Sequence, residues 1–162
     1  MKGLLFAAFL SLLLPLGSKA AEPSSRPDPS VQEQAVTLLT SRFLRSFENL
    51  DLDAFMACFA PDATVFFPSP ESPGRFDGQA AIRDNFAKVF SAIRQASKAT
   101  APPYHRLAPE RLSLKVLSAD SAVVTFELAN EDRLARRTLV LTATPNGWLI
   151  EHLHASNMPV QR

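Results

Sequence analysis

The fold is decided by residues 136–156, which read RRTLVLTATPNGWLIEHLHAS. On both sides of residues 145–147 (Pro-Asn-Gly), apolar and polar residues alternate, and a period of two is typical of strands. A Pro-Asn-Gly sequence between two such runs favours a tight turn. The stretch therefore predicts an antiparallel hairpin with strands over 136–143 and 148–156.

Upstream of this hairpin the sequence predicts two more strands, and before them three helices with one short strand between the second and third. Residues 111–117 and 122–128 alternate as strands do, and residues 63–67 are rich in β-forming side chains. In the helices apolar residues recur every three or four positions. The three helical stripes are Val36, Leu39, Phe43, Phe47 and Leu50; Leu52, Phe55, Met56 and Phe59; and Ile82, Phe86, Val89, Phe90 and Ile93.

Helices followed by a run of antiparallel strands indicate an α+β fold. The simplest way to bury the three N-terminal helical stripes is to curl a mostly antiparallel sheet strongly around them. The result is a cone whose open end is a cavity between the concave sheet face and the helices. Cavities of this kind are the usual sites of small ligands.

Local signals mark the helix ends. Ser30 and Glu33 have capping-box spacing at the start of the first helix, and Asp51 is placed to cap the second. Before the third helix we expect Gly78 to allow a tight turn and Asp77 to cap the helix.

The N-terminal residues have the order of a secretory signal peptide. Met1-Lys2 is followed by an apolar run over 4–16 and by Ser18-Lys19-Ala20, which has small residues where a signal peptidase needs them. The alternative is an uncleaved membrane anchor, for which the apolar run is short. We expect a signal peptide over 1–20, a flexible leader over 21–30, a domain over 31–158, and an exported protein, periplasmic or secreted, without a membrane segment after cleavage.

Composition excludes several kinds of site. Cys58 is the only cysteine, so no intramolecular disulfide is possible, and its apolar neighbours favour an inert buried thiol over a catalytic one. The net charge is +1 and basic residues are scattered, which argues against a nucleic-acid partner. We expect no bound cofactor. We also expect no metal site, because such a site needs a third ligand beside His152 and His154, and no spacing supplies one.

The candidate chemistry lies in the last strand. Strict alternation would put Trp148, Ile150, His152, His154 and Ser156 on one face. His152 and His154 are the candidate catalytic residues, since paired imidazoles can serve as acid and base, or bind an anion. The alternative is that they form hydrogen bonds within the sheet or at a dimer interface.

Arginines and phenylalanines complete the candidate ligand site. Arg136 and Arg137 must point to opposite faces of their strand, so one of them can reach the cavity and bind an anionic group. The alternative for that arginine is a salt bridge at the rim, for instance to Glu127 or Glu151. The predicted ligand-binding residues are Phe47, Phe67, Arg136, Arg137, Trp148, His152 and His154.

These stretches also resemble a known family. The segments FLRSFENLDLDAFMACFAPDATVFFP, GRFDGQAAIRDNFAKVF and GWLIEHLHAS, in this order and spacing, are similar to SnoaL-like members of the nuclear transport factor 2-like superfamily. The resemblance implies a cone-shaped fold, a pocket in each cone and a homodimer packed through the sheets. It does not decide the chemistry, because this fold carries many functions.

Compared with the steroid isomerases of that superfamily, the sequence lacks the residues of the reaction. The position that the resemblance assigns to the general base is Phe67, and the first helix has Phe43 and Phe47 where the isomerases have a tyrosine. Three functions stay open: binding of a small, partly apolar molecule in the cone; an enzyme (isomerase, dehydratase or hydrolase-like) that uses a pocket histidine as base; and a protein-interaction domain.

Overall fold

Six strands form one curved sheet in the order β2-β1-β6-β5-β4-β3. The computed structural model describes residues 29–68, 74–129 and 133–159. The predicted signal peptide and residues 21–28 of the predicted leader lie outside these ranges. The elements are α1 (Pro29–Asn49), α2 (Leu52–Met56), β1 (Phe59–Phe66), β2 (Arg75–Asp77), α3 (Gly78–Ala96), β3 (Pro109–Val116), β4 (Ser121–Ala129), β5 (Arg133–Thr144) and β6 (Gly147–Pro159).

The predicted α+β fold is confirmed. All neighbouring strands pair antiparallel except β1 and β6, which pair parallel, and the helices pack on one face of the sheet. We call the helix-covered face the inner face and the opposite one the outer face. The predicted hairpin is present, with Thr144 paired to Gly147 across a two-residue turn.

The helical stripes form the core together with the inner face of the sheet. Val36, Leu39 and Phe43 of α1 are buried, as are Ile82, Phe86 and Phe90 of α3. On β4 the buried residues are Ala122, Val124 and Phe126, in agreement with the predicted alternation. The core is therefore one continuous apolar layer between helices and sheet.

The second helix is shorter than predicted. Asp51 caps it as expected, because its side chain accepts a hydrogen bond from the Ala54 backbone N–H at 3.0 Å. The helix ends at Met56, however, and Phe59 belongs to β1. The reason is tertiary: the Ile150 backbone N–H donates to the Cys58 carbonyl at 2.7 Å, so β6 pairs with the chain immediately after the helix.

Two other helix starts differ from the prediction. The first helix begins at Pro29, so Ser30 lies in its first turn and not at the cap position. At α3, Gly78 has the predicted positive φ of 80°, but Asp77 makes no capping hydrogen bond. Asp77 instead accepts from the Arg75 guanidinium at 2.7 Å, which joins two exposed side chains of β2.

Within the described ranges no helix has the length and apolar character needed to cross a membrane.

Candidate functional site in the cone

A β-bulge in β6 overturns the prediction that five alternating side chains share one face. Val140 of β5 pairs with His152, whereas the next residue, Leu141, pairs with Ile150, so Glu151 is an extra residue on β6. A bulge of this kind shifts the alternation by one position. Trp148 and Ile150 therefore lie on the inner face before the bulge, and Leu153 and Ala155 lie on it after the bulge.

His152 and His154 consequently lie on the outer face. There His152 Nδ1 is 2.7 Å from the Thr64 hydroxyl oxygen, and His154 is exposed. The ring of Phe66 lies 5.6 Å from each imidazole ring. Burial lowers the pKa of His152, and the nearby positive charges of His154 and Arg75 lower it further. The two histidines do not line the cone cavity.

The cone contains a partly open cavity of about 220 Å³ on the inner side of the sheet. Its wall is almost entirely apolar and comes from α1, β1, α3, the loop before β3, and strands β4, β5 and β6. The lining residues are Phe43, Leu44, Phe47, Val65, Phe67, Pro68, Phe86, Val89, Leu107, Phe126, Leu128, Arg137, Leu153 and Ala155.

Aromatic rings fix the shape of this wall. Phe67 packs on Phe86 at 4.8 Å between centroids, and Phe47 meets Phe90 edge-on at 5.2 Å. Such tilted and edge-on contacts are the favourable arrangements for aromatic pairs. Rings that hold one another in this way give this part of the wall a fixed shape.

Arg137 is the only ionisable side chain among the lining residues in the described part of the chain. The register of β5 puts Arg137 on the inner face, between Phe126 of β4 and Ala155 of β6. Its Nη1 donates to the carbonyls of Arg136 and Ser156, at 2.8 and 3.1 Å. Burial lowers the pKa of Arg137 to about 10, so the guanidinium is still charged at neutral pH.

Three of the seven predicted ligand-binding residues line the cavity: Phe47, Phe67 and Arg137. Trp148 is buried at the other end of β6 and borders a separate groove beside α1. Arg136 is on the outer face, exposed, with its guanidinium against the Met158 sulfur. The suggested rim salt bridge to Glu127 is formed by Arg111 instead, at 3.2 Å.

One side of the cavity depends on the loop between α3 and β3. The Glu48 carboxylate accepts from the Leu107 backbone N–H at 2.8 Å, and the Glu48 carbonyl accepts from Tyr104 and His105. Arg94 covers the Tyr104 ring at 4.5 Å. These contacts hold Leu107 against the cavity.

Sequence reasoning missed Leu153 and Ala155 as lining residues. A signal was present in the sequence: Leu153 and Ala155 are out of step with Trp148 and Ile150, because Ile150 and Leu153 are three positions apart. A step of three within an alternating strand is the mark of an extra residue. Leu107 carried no such signal, because its position depends on a loop.

Other chemistry is not apparent in ranges 29–68, 74–129 and 133–159. These ranges contain no group of three or more His, Cys, Asp or Glu side chains placed to hold a metal ion. Cys58 is fully buried, and burial raises its pKa despite the opposing effect of Arg42. A thiol that is inaccessible and protonated is a poor nucleophile.

The family profile for the SnoaL-like domain matches residues 36–161. No curated protein is significantly similar to the chain in sequence.

Solved structures share the fold at low sequence identity. A candidate dehydratase of the NTF2-like family from Streptomyces avermitilis has a TM-score of 0.65 and 18% identity, over 83% of this chain and 100% of its own. An NTF2-like protein of unknown function from Pseudomonas putida has a TM-score of 0.63 and 17% identity, over 78% and 87%. A candidate aromatic ring hydroxylase from Novosphingobium aromaticivorans has a TM-score of 0.61 and 18% identity, over 82% and 96%. At these identities the likeness concerns the fold.

Proposed function

We propose that this chain, which belongs to the SnoaL-like domain family, binds a small and largely apolar molecule in the cavity of its cone. The observation that carries the proposal is the cavity itself, whose described residues form an aromatic and aliphatic wall interrupted by one charged side chain, Arg137. Ligand pockets commonly combine an apolar wall with a few polar groups that orient the ligand.

The size of the cavity limits the ligand. An apolar cavity of about 150 Å³ in another protein accepts benzene, and drug-sized ligands occupy roughly 300–1,000 Å³. The cone holds about 220 Å³. It therefore suits one aromatic ring or a short branched chain carrying a few further atoms.

Binding is favoured over catalysis by the chemistry of the wall. General acid–base catalysis needs a group whose pKa lies near the working pH, and Arg137, at about 10, does not meet this condition. Phe67, at the position that resemblance assigns to the isomerase base, lines the cavity and cannot move a proton. The enzyme hypothesis based on His152 or His154 gains no support, because neither faces the cone.

Filling the cavity should remove binding without unfolding the protein. Ala155 lies on the inner face beside Arg137, so the indole of Ala155→Trp would occupy the space that a ligand needs. We expect the wild type to give a saturation-transfer NMR signal with toluene, a neutral probe of the right size, and Ala155→Trp to give none.

Ala92→Trp is the matched control, because Ala92 is exposed on α3 and lies outside the cavity. It should bind toluene as the wild type does, and both variants should keep the wild-type circular dichroism. Equal toluene signals from the wild type and Ala155→Trp would show that the probe binds elsewhere and would refute the proposal.

We also propose that the protein is a homodimer that packs through the outer face. The support is an uncovered strip of uncharged, half-buried side chains along β4 and β5, including Val123, Thr125, Thr138 and Val140. Val123 pairs with Val140 and Thr125 with Thr138, which gives a largely β-branched surface. Such a surface is suited to a second copy, since like surfaces meet in a two-fold dimer.

Export is proposed from residues 1–20, on the sequence pattern alone. Native mass spectrometry of protein recovered from the exported fraction tests both proposals at once. We expect a dimer in which each subunit has the mass of a chain that begins at Ala21. A monomer at micromolar concentration would contradict the dimer, and a subunit that still contains Met1 to Ala20 would contradict cleavage.

A further inference from the structure

We infer that the ligand of the cone is a small carboxylic acid, and that Arg137 is the residue that recognises its carboxylate. The inference rests on the proposed function and adds a chemical class to it. It depends on where Arg137 lies, how its guanidinium is held and what surrounds it.

Arg137 has no acidic partner among the residues that the structure describes. No carboxylate oxygen in these ranges lies within 4.0 Å of it, and Glu127, the nearest acidic residue in register on β4, pairs with Arg111. Buried charges in proteins are normally paired, because an unpaired charge is costly to remove from water. A half-buried guanidinium that faces an apolar cavity, with no counter-ion among the described residues, is therefore suited to an anion supplied by the ligand.

The guanidinium is also held in place before any ligand arrives. Its Nη1 donates two hydrogen bonds, to the carbonyls of Arg136 and Ser156. Nε and Nη2 have no acceptor within the described ranges. These two atoms form one edge of the guanidinium fork, and that edge matches the two oxygens of a carboxylate.

The free energy of binding benefits because the guanidinium has already lost part of its hydration during folding. The Arg137 side chain is half-buried, so the cation is partly desolvated in the free protein, and this burial lowers its pKa to about 10. A ligand then loses its own hydration on entry and displaces only the water that remains on the half-buried guanidinium. In return it gains a charge-assisted bidentate contact in surroundings that screen charge poorly.

The remainder of the wall defines the other end of the ligand. Phe47, Phe67 and Phe86 offer ring faces and edges, and no second ionisable group lines the cavity in the described part of the chain. An acid with one aromatic ring or a short alkyl chain fits this arrangement, whereas a sugar or a polyanion would leave polar groups without partners.

The test compares three probes by titration calorimetry at pH 7.5: phenylacetate, its neutral isostere phenylacetamide, and toluene. We expect the wild type to bind phenylacetate about tenfold more tightly than phenylacetamide, or more, which corresponds to about 1.4 kcal/mol or more. Arg137→Met keeps an unbranched apolar stem and removes the charged guanidinium. This variant should lose the preference for phenylacetate and keep its affinity for toluene.

Arg136→Met is the matched control, because Arg136 is the adjacent arginine and lies on the outer face. It should retain the wild-type preference. Equal affinity of the wild type for acid and amide would overturn the inference, as would a preference that survives in Arg137→Met or disappears in Arg136→Met.

The probes separate this inference from the function on which it rests. Toluene bound without any preference for the acid leaves the cavity as a binding site and removes the role of Arg137. No binding of any of the three probes refutes both. If Arg137→Met fails to fold, the comparison of acid and amide on the wild type and on Arg136→Met still decides the matter.

Discussion

Phe55→Ala is expected to lower the free energy of unfolding by about 3–5 kcal/mol, the range for removing a large aromatic side chain from a packed core. Phe55 has no exposed surface and lies at the centre of the aromatic cluster between α1, α2 and α3. Its ring centroid is 4.4 Å from that of Phe86 and 5.0 Å from that of Phe43. Urea unfolding followed by circular dichroism measures the loss.

The cost should be large because the site cannot collapse. Phe55 is held by rings from three other elements, so removal leaves a cavity that no neighbour fills without breaking its own contacts. The remaining aromatic partners of Phe55 in the described part of the chain are Phe47, Phe59 and Phe90, at centroid distances of 5.8, 5.3 and 5.3 Å.

Leu38→Ala is the control on the same helical layer. Leu38 is 73% exposed on α1, and alanine is the better helix former, so we expect a change within about 0.5 kcal/mol. If Phe55→Ala cost no more than Leu38→Ala, the aromatic cluster would not be the centre of the core.

Most of this core could be predicted from the sequence. Periodicity of three and four identified Val36, Leu39 and Phe43 on α1, and periodicity of two identified the inner face of β4, since each pattern reports which side of an element is apolar. The end of α2 could not be predicted in this way. Its last turn competes with strand pairing to β6, and that pairing joins residues about 90 positions apart, Cys58 and Ile150.

The candidate site was predicted less well, for a physical reason. Alternation assigns faces only while the strand stays regular, and one extra residue reverses every assignment beyond it. Alternation therefore held on β5, which pairs without interruption with β4: one of Arg136 and Arg137 was expected on the inner face, and Arg137 is the one that lies there. Alternation failed on β6, where Ile150 and His152 were expected to share a face. The extra residue Glu151 lies between them, so Ile150 is on the inner face and His152 is on the outer face.

The bulge in β6 also predicts a large difference in stability between substitutions at two adjacent positions, 153 and 154. Leu153→Asn is expected to lower the free energy of unfolding by about 3–5 kcal/mol, because it removes a buried aliphatic side chain and leaves an amide in an apolar wall. Leu153 is 3% exposed and lines the cavity between Val65 and Leu139, its partners in register on β1 and β5.

His154→Asn is the matched control one residue further along the same strand. His154 is exposed on the outer face, so the expected change is within about 0.5 kcal/mol. Asparagine is the new residue in both variants, so the difference between them reports mainly how deeply each position is buried. Both are compared by urea unfolding at one protein concentration, because an outer-face dimer would make stability depend on concentration.

The order of the two effects decides between the bulged strand and regular alternation. With Glu151 as the extra residue, position 153 faces the helices and position 154 faces away from them, so the first substitution costs far more. Regular alternation from Trp148 would put His154 inside and Leu153 outside, and would reverse the order. A larger loss of unfolding free energy from His154→Asn than from Leu153→Asn would therefore mean that both histidines face the cone. It would also restore support for the enzyme hypothesis, which needs a base beside the ligand.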